Sequence, residues 1–279
     1  MTLRSIVTIA ALLGAAATIA LPARAANDKQ LQNMKGTVSF QAPSAAAQPV
    51  APNATVVLGD SDYAITGSDS LAGIGLPDSS RVLVGASSKV QLGFFNQVQG
   101  TNAKFVVYNG KVRFIVQHPA GAKANYQFQT PTGEVAVRGT EGDIESDGSN
   151  LQVNVYEVCD ANTPVTVTTK DGQSFKVLAG QSFAAQIVNG IVRTEVQNLT
   201  QQMINQFSPD FGVPTSWDAA KGEIVGMATN QATNAVSNAT GGIVGSNVVS
   251  GAIGGLFGHK SAPSPSPSAA PKSDTCTHQ

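Results

Sequence analysis

Between Ala54 and Val196 apolar and polar residues alternate in short runs. Val82 and Val84 share a face, as do Val90, Leu92 and Phe94, then Phe105 and Val107, then Val112, Phe114 and Val116. Tyr126 and Phe128, Val135 and Val137, Leu151, Val153 and Val155, Val165 and Val167, and Phe175 and Val177 continue the pattern, which closes with Ile187 and Ile191. A period of two predicts strands with one buried face. Asn109-Gly110, Asp147-Gly148, Asp171-Gly172 and Asn189-Gly190 supply the residue types that tight hairpins need for their positive φ angles. Short strands punctuated this often predict an all-β domain, built as a sandwich, a roll or a short solenoid.

The pattern changes on both sides. Residues 26–53 are polar and then rich in Ala, Pro and Gln, which predicts a linker, with Val38 and Phe40 as material for one edge strand. The β domain is expected over 54–190 and a helical segment over 191–240. Within it Val196, Leu199, Met203 and Phe207 recur at helical spacing, and Ser208-Pro209 is expected to end the helix. Residues 241–260 form a Gly-rich apolar segment, and 261–279 a disordered Pro/Ser tail. The small-xxx-small spacings within Gly241–Gly258 suit close helix packing in a membrane, so membrane association is one expectation for them.

Residues 1–25 combine Arg4, an apolar run from Ile6 to Leu21 and Ala23-Arg24-Ala25, the layout of a signal peptide. The expected location is periplasmic or extracellular, by bacterial export. In such a compartment Cys159 and Cys276 could pair, or remain unpaired or intermolecular. A net charge of −1 lacks the basic excess of a nucleic-acid binder.

Catalytic and metal patterns are sparse. His118, His259 and His278 are far apart, and no nucleophile elbow or phosphate loop is present. Glu141, Asp143, Glu145 and Asp147 alternate before Gly148 in partial likeness to a calcium loop, but Asn154 stands where the bidentate acid is needed. At alternate positions these four acids read as the solvated face of one strand. The reading is therefore no catalytic residues, no cofactor and no metal.

Two blocks carry a family resemblance. Leu58 to Leu92 contains Gly59-Asp60, Thr66-Gly67, Pro77-Asp78-Ser79 and Ser87-Ser88-Lys89-Val90, and Thr130-Pro131 leads into Val137-Arg138-Gly139-Thr140-Glu141. Together they resemble the FecR domain, over roughly residues 54–186. Asp78-Ser79 stands where that family's first hairpin usually has Asp-Gly. The resemblance implies an exported, non-catalytic binding or signalling module that contacts a protein or glycan partner of the envelope or surface. The alternative is a structural or surface-associated protein held to a membrane or oligomer by its Gly-rich segment. Arg138 sits at a sheet margin within reach of Glu134 or Glu141. It is expected to be a buried-edge residue that fixes the Gly139 turn, so that Arg138→Ala loses one to a few kcal/mol.

Overall fold

A computed structural model describes residues 28–117, 124–160 and 162–212. The leader, all three histidines, Cys276, the Gly-rich segment and the Pro/Ser tail lie outside the described residues.

The alternating runs build two facing layers. One holds, from edge to edge, β4 (Thr55–Val57), β1 (Gln30–Lys35), β6 (Leu71–Gly75), β7 (Arg81–Val84), the second half of β9 (Thr101–Val116), β12 (Thr140–Ser146), β13 (Asn150–Val158), β16 (Gln181–Val188) and β17 (Ile191–Asn198). The other holds β3 (Gln48–Val50), β2 (Val38–Gln41), β5 (Tyr63–Thr66), β8 (Lys89–Asn96), the first half of β9, β10 (Ala124–Gln129), β11 (Gly133–Val137), β14 (Val165–Thr169) and β15 (Ser174–Val177). All neighbours are antiparallel except β9 and β10. The chain winds back and forth between the layers, so the fold is a rolled sandwich.

β9 explains why all the strands form one hydrogen-bonded network. Asn109-Gly110 is not a hairpin, as the sequence suggested, but a corner inside this strand. Gly110 sits at φ 103°, which a side chain would resist, and there β9 leaves one layer for the other. Hairpins form at the other three sites, with positive φ at Gly148, Gly172, Asn189 and Gly190.

Most of the valines and phenylalanines that define the period fill the space between the layers, whereas Phe94, expected on the face of Val90 and Leu92, is exposed because the register shifts at Gly93. The Phe114 and Phe128 rings meet across it at 5.3 Å, and Phe175 and Phe183 at 5.1 Å. The expected linker belongs to the same core: β1, β2 and β3 deliver Leu31, Val38 and Val50 into it, all buried. Alternation in that stretch is masked by Ala, Pro and Gln. At the other end β17 extends the sandwich to Asn198, so Val196 lies in a strand.

The helix α1 (Gln201–Phe211) starts at Thr200, whose side chain accepts the Met203 N–H. It does not stop at Ser208-Pro209. Pro209 cannot donate to the Asn205 carbonyl, but the Ser208 hydroxyl does, at 3.4 Å, and the helix continues to Gly212.

At the β6–β7 turn Asp78 accepts the Ser80 N–H at 3.0 Å and the Tyr126 hydroxyl at 2.6 Å, which holds Ser79 at φ 68°. A left-handed serine carries backbone strain that glycine does not, partly offset by glycine's freer unfolded chain. Ser79→Gly is therefore expected to raise stability by about 0.5–1 kcal/mol. A denaturant midpoint unchanged or lowered would refute this.

Candidate functional site

The outward face of the first layer is polar by pattern, yet part of it is sealed. In the ladder between β9 and β12, Arg113 lies directly opposite Asp143, and Lys111 opposite Glu145. On the other side of β12 the register slips: Glu141 pairs with Glu157 and Gly142 with Val155, leaving Tyr156 as an extra residue of β13. This bulge turns Tyr156 outward and aims its hydroxyl at Asp143. Helix α1 then lies over all three. Leu199, Met203 and Ile204 pack on Tyr156, and Phe211 packs on Gly85 just past β7.

Arg113 has every part of its guanidinium engaged. Nε donates to Asp143 Oδ1 at 2.7 Å and Nη2 to Oδ2 at 3.0 Å, while Nη1 donates to the Gly212 carbonyl at the helix C-cap at 3.1 Å. The Phe211 and Tyr156 rings flank it at 5.1 and 5.4 Å. Asp143 also accepts a short hydrogen bond from the Tyr156 hydroxyl. At the rim Lys111 pairs with Asp210 at 3.0 Å and donates to the Gln206 carbonyl at 3.2 Å. A two-toothed carboxylate–guanidinium contact sets orientation as well as strength, so it fixes where the helix ends on the sheet.

The electrostatics follow from burial. Loss of solvent pushes the Asp143 carboxyl up, while the Arg113 donors and the Tyr156 hydroxyl pull it back. Burial also opposes the Arg113 charge, but hydrogen bonding and charge from Asp143, with Tyr156 and Glu141 adding to it, raise its pKa. Burial beside Asp143 pushes the Tyr156 phenol up, so it stays a proton donor to that carboxylate. These groups are spent on one another, an arrangement suited to holding a segment of chain.

The residues singled out from the sequence fall in several places. The Gly59 N–H donates to Asp62 at 2.7 Å, and Asp60 pairs with Lys29 at 2.6 Å. Thr66 is buried and its hydroxyl donates to the Gly85 carbonyl, while the Gly67 N–H reaches the Thr37 carbonyl at 2.9 Å. Val137 and Thr140 are buried, and Gly139 turns at φ 81° between the layers with its carbonyl accepting the Cys159 N–H. Cys159 is disulfide-bonded. Glu141 and Asp143 are fully buried, not part of a solvated face, and Asp143 lies beneath the end of α1 with Arg113. Asp147 instead caps its own hairpin by accepting the Ser149 and Asn150 N–H groups. Among the described residues no group of three or more acids, histidines or cysteines is placed to hold a metal.

Arg138 reverses its expected role. It is exposed and makes no hydrogen bond or ion pair with any described residue, while Gly139 carries the turn through its own positive φ and Glu141 is buried. It opens instead onto a cavity of about 180 Å³ on the outer face of the second layer, with Asn162, Thr166 and Lys176. Arg138→Ala is accordingly expected to change stability by less than about 0.5 kcal/mol, as exposed substitutions do. A loss of more than about 1 kcal/mol in chemical denaturation would restore the buried reading.

Arg113, the residue that plays the part expected of Arg138, sits in an ordinary polar slot between Val112 and Phe114. The one sequence signal for it is the amphipathic segment after Asn198, which needs a surface to cover.

No curated protein matches the chain. Two crystal structures of a "putative anti-sigma factor" from Parabacteroides distasonis ATCC 8503 are similar in fold, at 15% and 14% identity and TM-scores of 0.41 and 0.42. Each similarity covers 52% of this chain and 63% of the other, so the chain spans less than two thirds of their length. The model of the family described as FecR protein matches residues 62–157, a span that contains Arg113, Asp143 and Tyr156. The part of the β sandwich that carries the buried ion pair, residues 62–157, is thus a FecR domain.

Proposed function

We propose that the chain is an exported, non-catalytic binding and signalling module whose FecR domain engages a protein partner at the outer face around Arg138. The observation that carries this reading is the exposed Arg138 within the most specific motif of the domain. Its neighbours Val137, Gly139 and Thr140 serve the fold, whereas Arg138 holds nothing within the described residues. A guanidinium presented this way, with Lys176 lining the same cavity, suits a carboxylate-bearing partner, since it can donate two parallel hydrogen bonds. The leader-like residues 1–25 and the disulfide at Cys159 support export to an oxidising compartment.

Envelope cross-linking of cells producing wild type or Arg138→Glu tests the reading. A specific adduct formed by wild type and lost in the variant, at equal melting temperature, is the expected result. Retention of the adduct, or recovery of the protein from cytoplasm alone, would overturn it.

A further inference from the structure

We propose that β17 is a self-complementary edge through which two copies of the chain join their outer sheets into one, by antiparallel pairing centred on Thr194. The proposal does not depend on the partner reading above.

β17 ends its layer. Among the described residues it pairs only with β16, and their register runs from Val188↔Ile191 to Gln181↔Asn198 without a shift. Sheet edges are normally guarded by proline, a bulge, an inward charge or a covering segment. IVRTEVQN contains no proline, glycine or lysine, has no bulge, and is largely exposed. Helix α1 leaves from its end but runs over β13, β12 and β9, away from the free edge. On that strand Ile191 is 65% exposed and Val196 40%. A regular strand with bare backbone and apolar neighbours is a template for another strand.

The strand's own sequence identifies the occupant. Val192-Arg193-Thr194-Glu195-Val196 reads as a palindrome in character: apolar, positive, neutral, negative, apolar. Pairing two copies antiparallel about Thr194 places Arg193 opposite Glu195 of the second copy, twice over by symmetry. Val192 meets Val196 of the second copy on the other face, twice as well. Directly opposed side chains on one face are the pairs that stabilise a ladder. Sliding by two residues keeps the faces aligned but sets Arg193 against Arg193, or Glu195 against Glu195. One register is therefore selected and its neighbours are penalised. Neither Arg193 nor Glu195 forms an ion pair within the described residues, so both charges are available. The symmetry is isologous, with one patch used by both copies, and it closes after two.

Sedimentation velocity of the full-length chain tests the assignment. Wild type should associate reversibly to a dimer. R193E and E195R each place like charges across the axis and should weaken association at least about tenfold. The R193E/E195R double reversal restores opposite charges and should return the dimer. An equimolar mixture of the two single variants should form heterodimers. Melting temperatures equal to that of wild type, measured at a concentration where all forms are monomeric, show that these exposed changes leave the fold intact. A wild-type chain that stays monomeric would overturn the proposal, whether its β17 amides exchange freely or are protected by residues 213–279. A dimer indifferent to either single reversal would overturn it too.

Discussion

Arg113→Ala is expected to destabilise the domain by about 3–5 kcal/mol. The substitution removes three charged hydrogen bonds at once and leaves the Asp143 carboxylate, with no exposed surface, facing only the Tyr156 hydroxyl. The cost is chiefly that of a stranded charge, so it exceeds what an intact pair contributes. The same logic gives a sharper comparison: the triple change Arg113→Met/Asp143→Leu/Tyr156→Phe, which fills the space with apolar side chains and strands no hydroxyl, should stay within about 1 kcal/mol of wild type. Helix α1 reports on both, because Arg113 also holds the Gly212 carbonyl and stacks on Phe211. In Arg113→Ala the α1 amides should exchange before the sandwich opens. Urea denaturation with hydrogen exchange measures the two effects together. A single-variant loss below 1 kcal/mol would mean that the pair does not clamp the helix.

Gly142→Ala is expected to cost about 2–3 kcal/mol through overpacking. Gly142 lies on the inward side of β12, at the slip that frees Tyr156. A methyl group there would stand 2.5 Å from Phe114 Cζ and press still closer on the Asn154 carbonyl. The carbonyl is part of the β13 backbone. The Phe114 ring, packed on Phe128, has little room to retreat. Trimming the ring with Phe114→Leu should therefore recover part of the loss in the double variant, although Phe114→Leu alone is harmful. Chemical denaturation of the four proteins in the cycle decides the matter, and strictly additive losses would show that methyl and ring do not meet.

The all-β class was legible because one buried face per strand writes a period of two, and from Val82 to Val177 that period is almost unbroken. Asp147-Gly148, Asp171-Gly172 and Asn189-Gly190 also announced their turns, since positive φ restricts the residue types available. The resemblance at Val137-Arg138-Gly139-Thr140 pointed to the FecR domain, whose family model then matched residues 62–157. Where alternation is diluted, as between Gln30 and Val50, the strands stay hidden, because their pairing partners rather than their own side chains order them.

What only the tertiary structure decided is which polar residues water never reaches. Arg113 and Asp143 are drawn from the same alternating polar positions as Arg138, and no local pattern separates them. The difference is made by a helix some sixty residues downstream of Asp143 that comes to lie on one part of the face and not on another. Asn109-Gly110 was open in the same way, since a hairpin and a strand corner ask for the same backbone angles. The residue sequence by itself determined most of the strands, the turn chemistry and the likeness to the FecR domain. The contacts between distant segments determined that Arg138 projects into solvent while Arg113 is sealed in, because burial is a property of what lies above a residue and not of its neighbours in the chain.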